Sequence, residues 1–141
     1  MKKQSIIIGG IFVAVALITV IPNVLIGYGA IFNTDLLHNL IHFLSGVAII
    51  TIALQYESLL AKTLRGFGVF YLALALLGAI TTGFDSYRKL FGIIAISGMD
   101  HLLHLGLGVV LIVIGTEDIR MPKDDIEEDH DAFADSLPGA M

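Results

Sequence analysis

Two short stretches carry nearly all the chemistry this sequence offers. The first is Asp35-Leu36-Leu37-His38-Asn39-Leu40-Ile41-His42-Phe43-Leu44-Ser45-Gly46. The second is Ser97-Gly98-Met99-Asp100-His101-Leu102-Leu103-His104-Leu105-Gly106-Leu107-Gly108. On a helix, residues four apart share a face, so His38 stands over His42 and Asp100 over His104. Imidazoles paired in this way can present nitrogens to one divalent ion, and His38, His42, Asp100, His101 and His104 are the candidate metal ligands. His42 and His104 could also be axial ligands to a non-covalent haem b. No haem-attachment motif, HExxH pattern, Ser-His-Asp or Cys-His arrangement is present, and no catalytic residue is assigned.

Part of each stretch has a simpler explanation. Asp35 and Ser97 have the character of helix N-caps, whose side-chain oxygens accept from otherwise orphaned backbone N–H groups. Asp100, three residues after Ser97, completes a capping-box pattern. His42 and His104 lie seven residues past these caps, roughly 10 Å inward at 1.5 Å per residue. Capping does not explain them. An imidazole at that depth needs a partner, because lipid supplies none. Four uses follow: a structural hydrogen-bonded cluster with Asp35, Asn39, Ser45 and Ser97, a divalent-metal site, a haem site, or a proton or substrate relay.

The elements that must hold these residues are apolar helices. Of 141 residues, 56% are hydrophobic and 15% charged, and the mean hydropathy is +0.87. The apolar residues fall in blocks of bilayer length rather than alternating, which excludes a membrane β-barrel. The expected fold is an all-α membrane protein with four transmembrane helices at about 5–21, 35–54, 66–83 and 98–115. These make one domain, residues 1–116. A cleavable signal peptide is the competing reading of the start, with Ala14-Val15-Ala16 as its site. The apolar run continues past it to Ile21, which favours a helix.

The connectors are read as a semi-apolar segment at the interface, 24–34, and a segment 84–96 with Asp85, Arg88 and Lys89, where Asp85 and Arg88 form a loop ion pair or a solvated cluster. Lys62 and Arg65 are placed in a loop before the third helix. Tyr28, Tyr56, Tyr71 and Tyr87 fit interfacial anchoring. Ala75, Ala79 and Gly83 form a small-residue stripe for close helix packing.

The chain has no Cys, so disulfides and thiolate sites are excluded. Nine of the thirteen acidic residues lie from Glu117 onward. Residues 117–141 read as a disordered acidic tail, with His130 solvated and no calcium-loop spacing. No basic cluster points to nucleic acid. With the N-terminus in the cytoplasm, Lys2, Lys3, Lys62, Arg65, Arg120 and Lys123 lie inside and only Arg88 and Lys89 outside. That places the chain in the plasma (inner) membrane with both termini cytoplasmic.

A shift of 62 residues lays the first pair of helices on the second. His42 falls on His104, Gly46 on Gly108 and Asp35 on Ser97. Two tandem two-helix repeats are expected, related by an axis perpendicular to the bilayer.

The motifs Leu37-His38-Asn39-Leu40-Ile41-His42-Phe43-Leu44-Ser45-Gly46 and Asp100-His101-Leu102-Leu103-His104-Leu105-Gly106-Leu107-Gly108 resemble those of a bacterial family. Its members are small four-helix integral membrane proteins known only as a domain of unknown function, with LHNxxHxxxG and D-N-x-LHLxLG segments. Gly68-Val69-Phe70-Tyr71-Leu72-Ala73-Leu74 resembles the opening of the family's third helix. The likeness covers about residues 5–116, and where the family has Asn after the Asp this chain has His101. The resemblance implies the fold and the site residues, with no activity attached. The function expected from all this is a non-enzymatic membrane scaffold or accessory protein, partnered by the bilayer, by further copies of itself or by a membrane complex, and needing no cofactor. The alternative is a metal- or haem-binding protein in electron transfer or ion homeostasis. A small transporter or channel subunit is third.

Overall fold

A computed structural model describes residues 1–19, 21, 23–27, 29–84 and 88–117. Four helices dominate it: α1 (Lys2–Ile18), α2 (Leu36–Gln55), α3 (Glu57–Thr82) and α4 (Gly98–Thr116). Between α1 and α2 lie β1 (Ile26–Gly27) and β2 (Phe32–Asn33), a parallel pair. Between α3 and α4 lie β3 (Arg88–Leu90) and β4 (Ile94–Ile96), an antiparallel hairpin. Three of the helices, α2, α3 and α4, are long and apolar enough to cross a membrane. The fourth, α1, has 17 residues. The acidic run after Glu117, His130, Tyr28, Tyr87 and the Asp85 half of the expected ion pair lie outside the described residues.

The third helix starts nine residues before the expected Gly66. Lys62 and Arg65 therefore stand on a helix and not in a loop. Leu60, Leu64 and Gly68 are buried at four-residue spacing, and this period carries the helix through the polar residues between them. Tyr56 alone separates α2 from α3. The expected Ala75–Ala79–Gly83 stripe is also corrected. Gly83 is the residue after the helix, with φ 68°, a conformation that suits glycine. The buried small residues of α3 are Ala61, Gly68, Ala75 and Gly78.

Packing follows chain order: α1 lies along α2, α3 along α4, and α2 meets α3 over a shorter interface. Each pair closes on two glycines. A Cβ on Gly46 would stand 2.6 Å from Gly9 O, and one on Gly108 would stand 2.8 Å from Gly68 O. Without side chains at these points the backbones approach closely enough for Cα–H···O contacts. Phe12, Ile49, Ala53, Leu60, Leu64, Tyr71 and Leu111 form the apolar core. Lys2 Nζ and Glu57 Oε2 are 3.2 Å apart, so the chain start and the α2–α3 junction share one end of the bundle. The strand pairs share the other end, where α2 and α4 begin.

The hairpin turn is tight. Phe91 takes φ 53° and Gly92 φ 77°. A bulky side chain at positive φ is uncommon and costs energy. The strands it joins are short, and β4 reaches the start of α2.

A buried tri-histidine cluster

Helix-start chemistry fixes the two histidine-bearing helices. Asp35 is the N-cap of α2, and its Oδ1 accepts from His38 N–H at 3.0 Å. Ser97 and Asp100 form a capping box on α4, with Asp100 Oδ2 accepting from Ser97 N–H at 2.6 Å. Both carboxylates also reach across the molecule. Asp35 Oδ2 accepts from Ala95 N–H of β4 at 2.9 Å. Asp100 Oδ2 accepts from Asn33 N–H of β2 at 3.1 Å. Ser97 Oγ lies 2.8 Å from that same carboxylate oxygen and 3.0 Å from Ile31 O. Each helix start is thereby tied to the strand preceding the other.

These ties set the depth and rotation of three imidazoles. His38, His42 and His104 are all buried, and one ring nitrogen from each lies within 4.8 Å of the others. His42 Nε2 stands between its neighbours, 3.2 Å from His38 Nε2 and 3.4 Å from His104 Nε2. His38 Nδ1 donates to Ala95 O at 2.8 Å. A carbonyl only accepts, so neutral His38 carries its proton on Nδ1 and turns a lone pair inward. A neutral imidazole nitrogen either donates or accepts. As a donor, His42 Nε2 has one proton to share between two neighbours, and as an acceptor it sets its lone pair against that of His38.

Tyr71 closes the cluster from α3. It is fully buried, its ring centroid lies 5.7 Å from His42 and 5.4 Å from His104, and its hydroxyl donates to Ser45 Oγ at 3.0 Å. Phe12 of α1 packs against both rings, 5.3 Å from His42 and 5.3 Å from Tyr71. A cavity of about 10 Å3, lined by the three histidines and Tyr71 and by apolar residues of α2, α3 and the hairpin, has the room of a single water or ion.

The other expected ligands stand elsewhere. Asp100 spends Oδ2 on Ser97 and Asn33 as described. His101 faces the end of α3, where its Nε2 is 3.1 Å from Gly83 O and 3.3 Å from Thr82 Oγ1. Its ring fills the space left by Gly78, where a Cβ would sit 2.6 Å from Nδ1. Of the four residues expected in a structural polar cluster, Asp35, Ser97 and Ser45 make the bonds above. Asn39 makes no side-chain hydrogen bond among the described residues and lines a neighbouring cavity. A haem does not fit between His42 and His104: their nitrogens are 3.4 Å apart, and His38 stands at the same point.

Tyr71, Asn33 and Ala95 were not singled out from the sequence as members of this site. Tyr71 is placed mid-helix and not at an interface. The signal available for it was a tyrosine inside an apolar run, which must find a partner for its hydroxyl.

Residues 2–116 match the model of a family described as a domain of unknown function, DUF4383. No curated protein and no solved structure matches the chain.

Proposed function

We propose that this chain, which belongs to the DUF4383 family of unknown function, is a small membrane protein that holds one divalent transition-metal ion on His38, His42 and His104. One observation carries this reading. At a Zn–N distance of about 2.0–2.1 Å, tetrahedral geometry places two imidazole nitrogens about 3.3 Å apart. The separations around His42 are 3.2 and 3.4 Å. An ion at that point also serves all three nitrogens at once, where a single proton on His42 Nε2 has to be shared. The Ala95 carbonyl on His38 Nδ1 fits the outer partner that usually orients a metal-bound imidazole. Three nitrogen ligands suit Zn, Co, Ni or Cu, with a fourth position for water or a bound molecule. The role is that of an accessory protein of the membrane.

The bundle lies in the plasma membrane with its glycine-closed pairs as two tandem repeats. His42 and His104 are 62 residues apart, as are Gly46 and Gly108, and as are the strand residues Asn33 and Ala95. Each member of a pair has a matching task in its half. The Lys2–Glu57 contact supports a common, cytoplasmic end for the chain start and the α2–α3 junction, and the hairpin tip then faces outward. A cysteine introduced at the exposed Phe91 should react with an impermeant thiol reagent added outside intact cells. Reaction only after the cells are opened reverses the orientation.

The metal reading is tested on detergent-purified protein by cobalt(II) titration. Equimolar uptake with the strong visible absorption of four-coordinate cobalt is expected. A flat titration overturns the reading.

A further inference from the structure

A second cavity, of about 190 Å3, adjoins the tri-histidine cluster at the end of the bundle where α2 and α4 begin. His38 and His42 line both it and the smaller cavity beside Tyr71. Its other polar lining residues are Thr34, Asn39 and Asp100. Two features of these residues are otherwise unexplained. Thr34 is 6% exposed, and its Oγ1 has no hydrogen-bond partner. A buried hydroxyl in that condition is costly unless something fills the space beside it. Asp100 receives all of its bonds on Oδ2, and its Oδ1 accepts none among the described residues.

We propose that this cavity is the loading site of the metal centre. A hydrated divalent transition-metal ion is first held there by oxygen donors: Asp100 Oδ1, Thr34 Oγ1 and the Asn39 carboxamide. It then exchanges those oxygens and its waters for the imidazole nitrogens of His42, His38 and His104. The inference rests on the tri-histidine reading and adds a route to it. The chemistry is ordered by ligand type. Carboxylate, hydroxyl and carboxamide oxygens suit a cation that still carries water, whereas imidazoles suit the dehydrated ion. A dication passing directly from water into an apolar bundle meets the full cost of desolvation. Oxygen donors on one wall of the cavity, whose other walls include Val15, Ile26, Phe32 and Leu103, divide that cost into steps. The volume admits several waters, so the ion enters with part of its shell.

The experiment is the rate of cobalt(II) loading of the full chain in detergent, followed by growth of the four-coordinate visible band. Thr34→Val combined with Asn39→Leu should slow loading by about tenfold or more, on the scale at which outer partners of metal sites act. The final stoichiometry and band shape should match wild type, because the three histidines are untouched. Thr34→Ser, which restores the hydroxyl, should load at the wild-type rate. Equal rates for wild type and the double variant overturn the loading site, as does a Thr34→Ser chain as slow as the double variant. A wild-type chain that takes up no cobalt overturns the tri-histidine reading instead, and the two failures are thereby distinguished.

Discussion

His42→Ala should abolish tight metal binding. His42 supplies the nitrogen that lies within 3.4 Å of both others, so its loss removes one ligand and separates the remaining two. Changes to outer partners of metal sites cost about 10–100-fold in affinity. Deleting a ligand should therefore exceed about 100-fold. Stability gives a second, independent readout. A ligand that binds only the folded state adds about 2.7 kcal/mol at a hundred times its dissociation constant. Wild type should melt at a higher temperature with zinc than with a chelator, whereas His42→Leu should show no such difference. The leucine variant should also hold its own without metal, because it removes a nitrogen that has at most one proton for two neighbours, while still filling space against Phe12 and Tyr71. A His42→Leu chain that binds and is stabilised by zinc like wild type would end the proposal.

Asp100→Ala should be the most destabilising single change near the site. It deletes the acceptor of Ser97 N–H, Ser97 Oγ and Asn33 N–H at once. Two of these donors are backbone groups at buried residues, and each orphaned group costs about 1–3 kcal/mol. A loss of about 2–6 kcal/mol is expected from the two orphaned backbone donors together, read by thermal unfolding in detergent. Asp100→Asn, which keeps an oxygen in place, should lose less. Proteolysis should localise the effect, with faster cleavage between β1 and α2, because Asn33 is released from α4. Wild-type stability for Asp100→Ala would show that the carboxylate is dispensable.

The helix starts were legible because their chemistry is local. Asp35, Ser97 and Asp100 cap within three residues of themselves, and spacing alone exposes that. The pairing of His38 with His42 was legible for the same reason. Convergence was not, because it depends on how α2 and α4 are rotated and advanced against each other. His101 shows this clearly: one position before Leu102 on a histidine-rich turn, it faces α3 and Thr82 rather than His104. Asp100 shares a face with His104, yet its position at the third residue of the helix commits one oxygen to backbone donors. The strands escaped notice because two or three residues carry no usable period, and their partners lie across the molecule. The early part of α3 escaped because Lys62 and Arg65 outweighed the Leu60–Leu64–Gly68 repeat.

The exchange between Asp35 and Ala95, and between Asp100 and Asn33, has a consequence for biosynthesis. The first helical hairpin leaves the ribosome before the second exists. Until then Asp35 has no Ala95 N–H to accept from, and His38 has no carbonyl to orient it. A chain truncated after α2 retains two of the three imidazoles and none of the cross-ties that aim them. Retention of an ion on all three imidazoles would thus report that synthesis had run through α4.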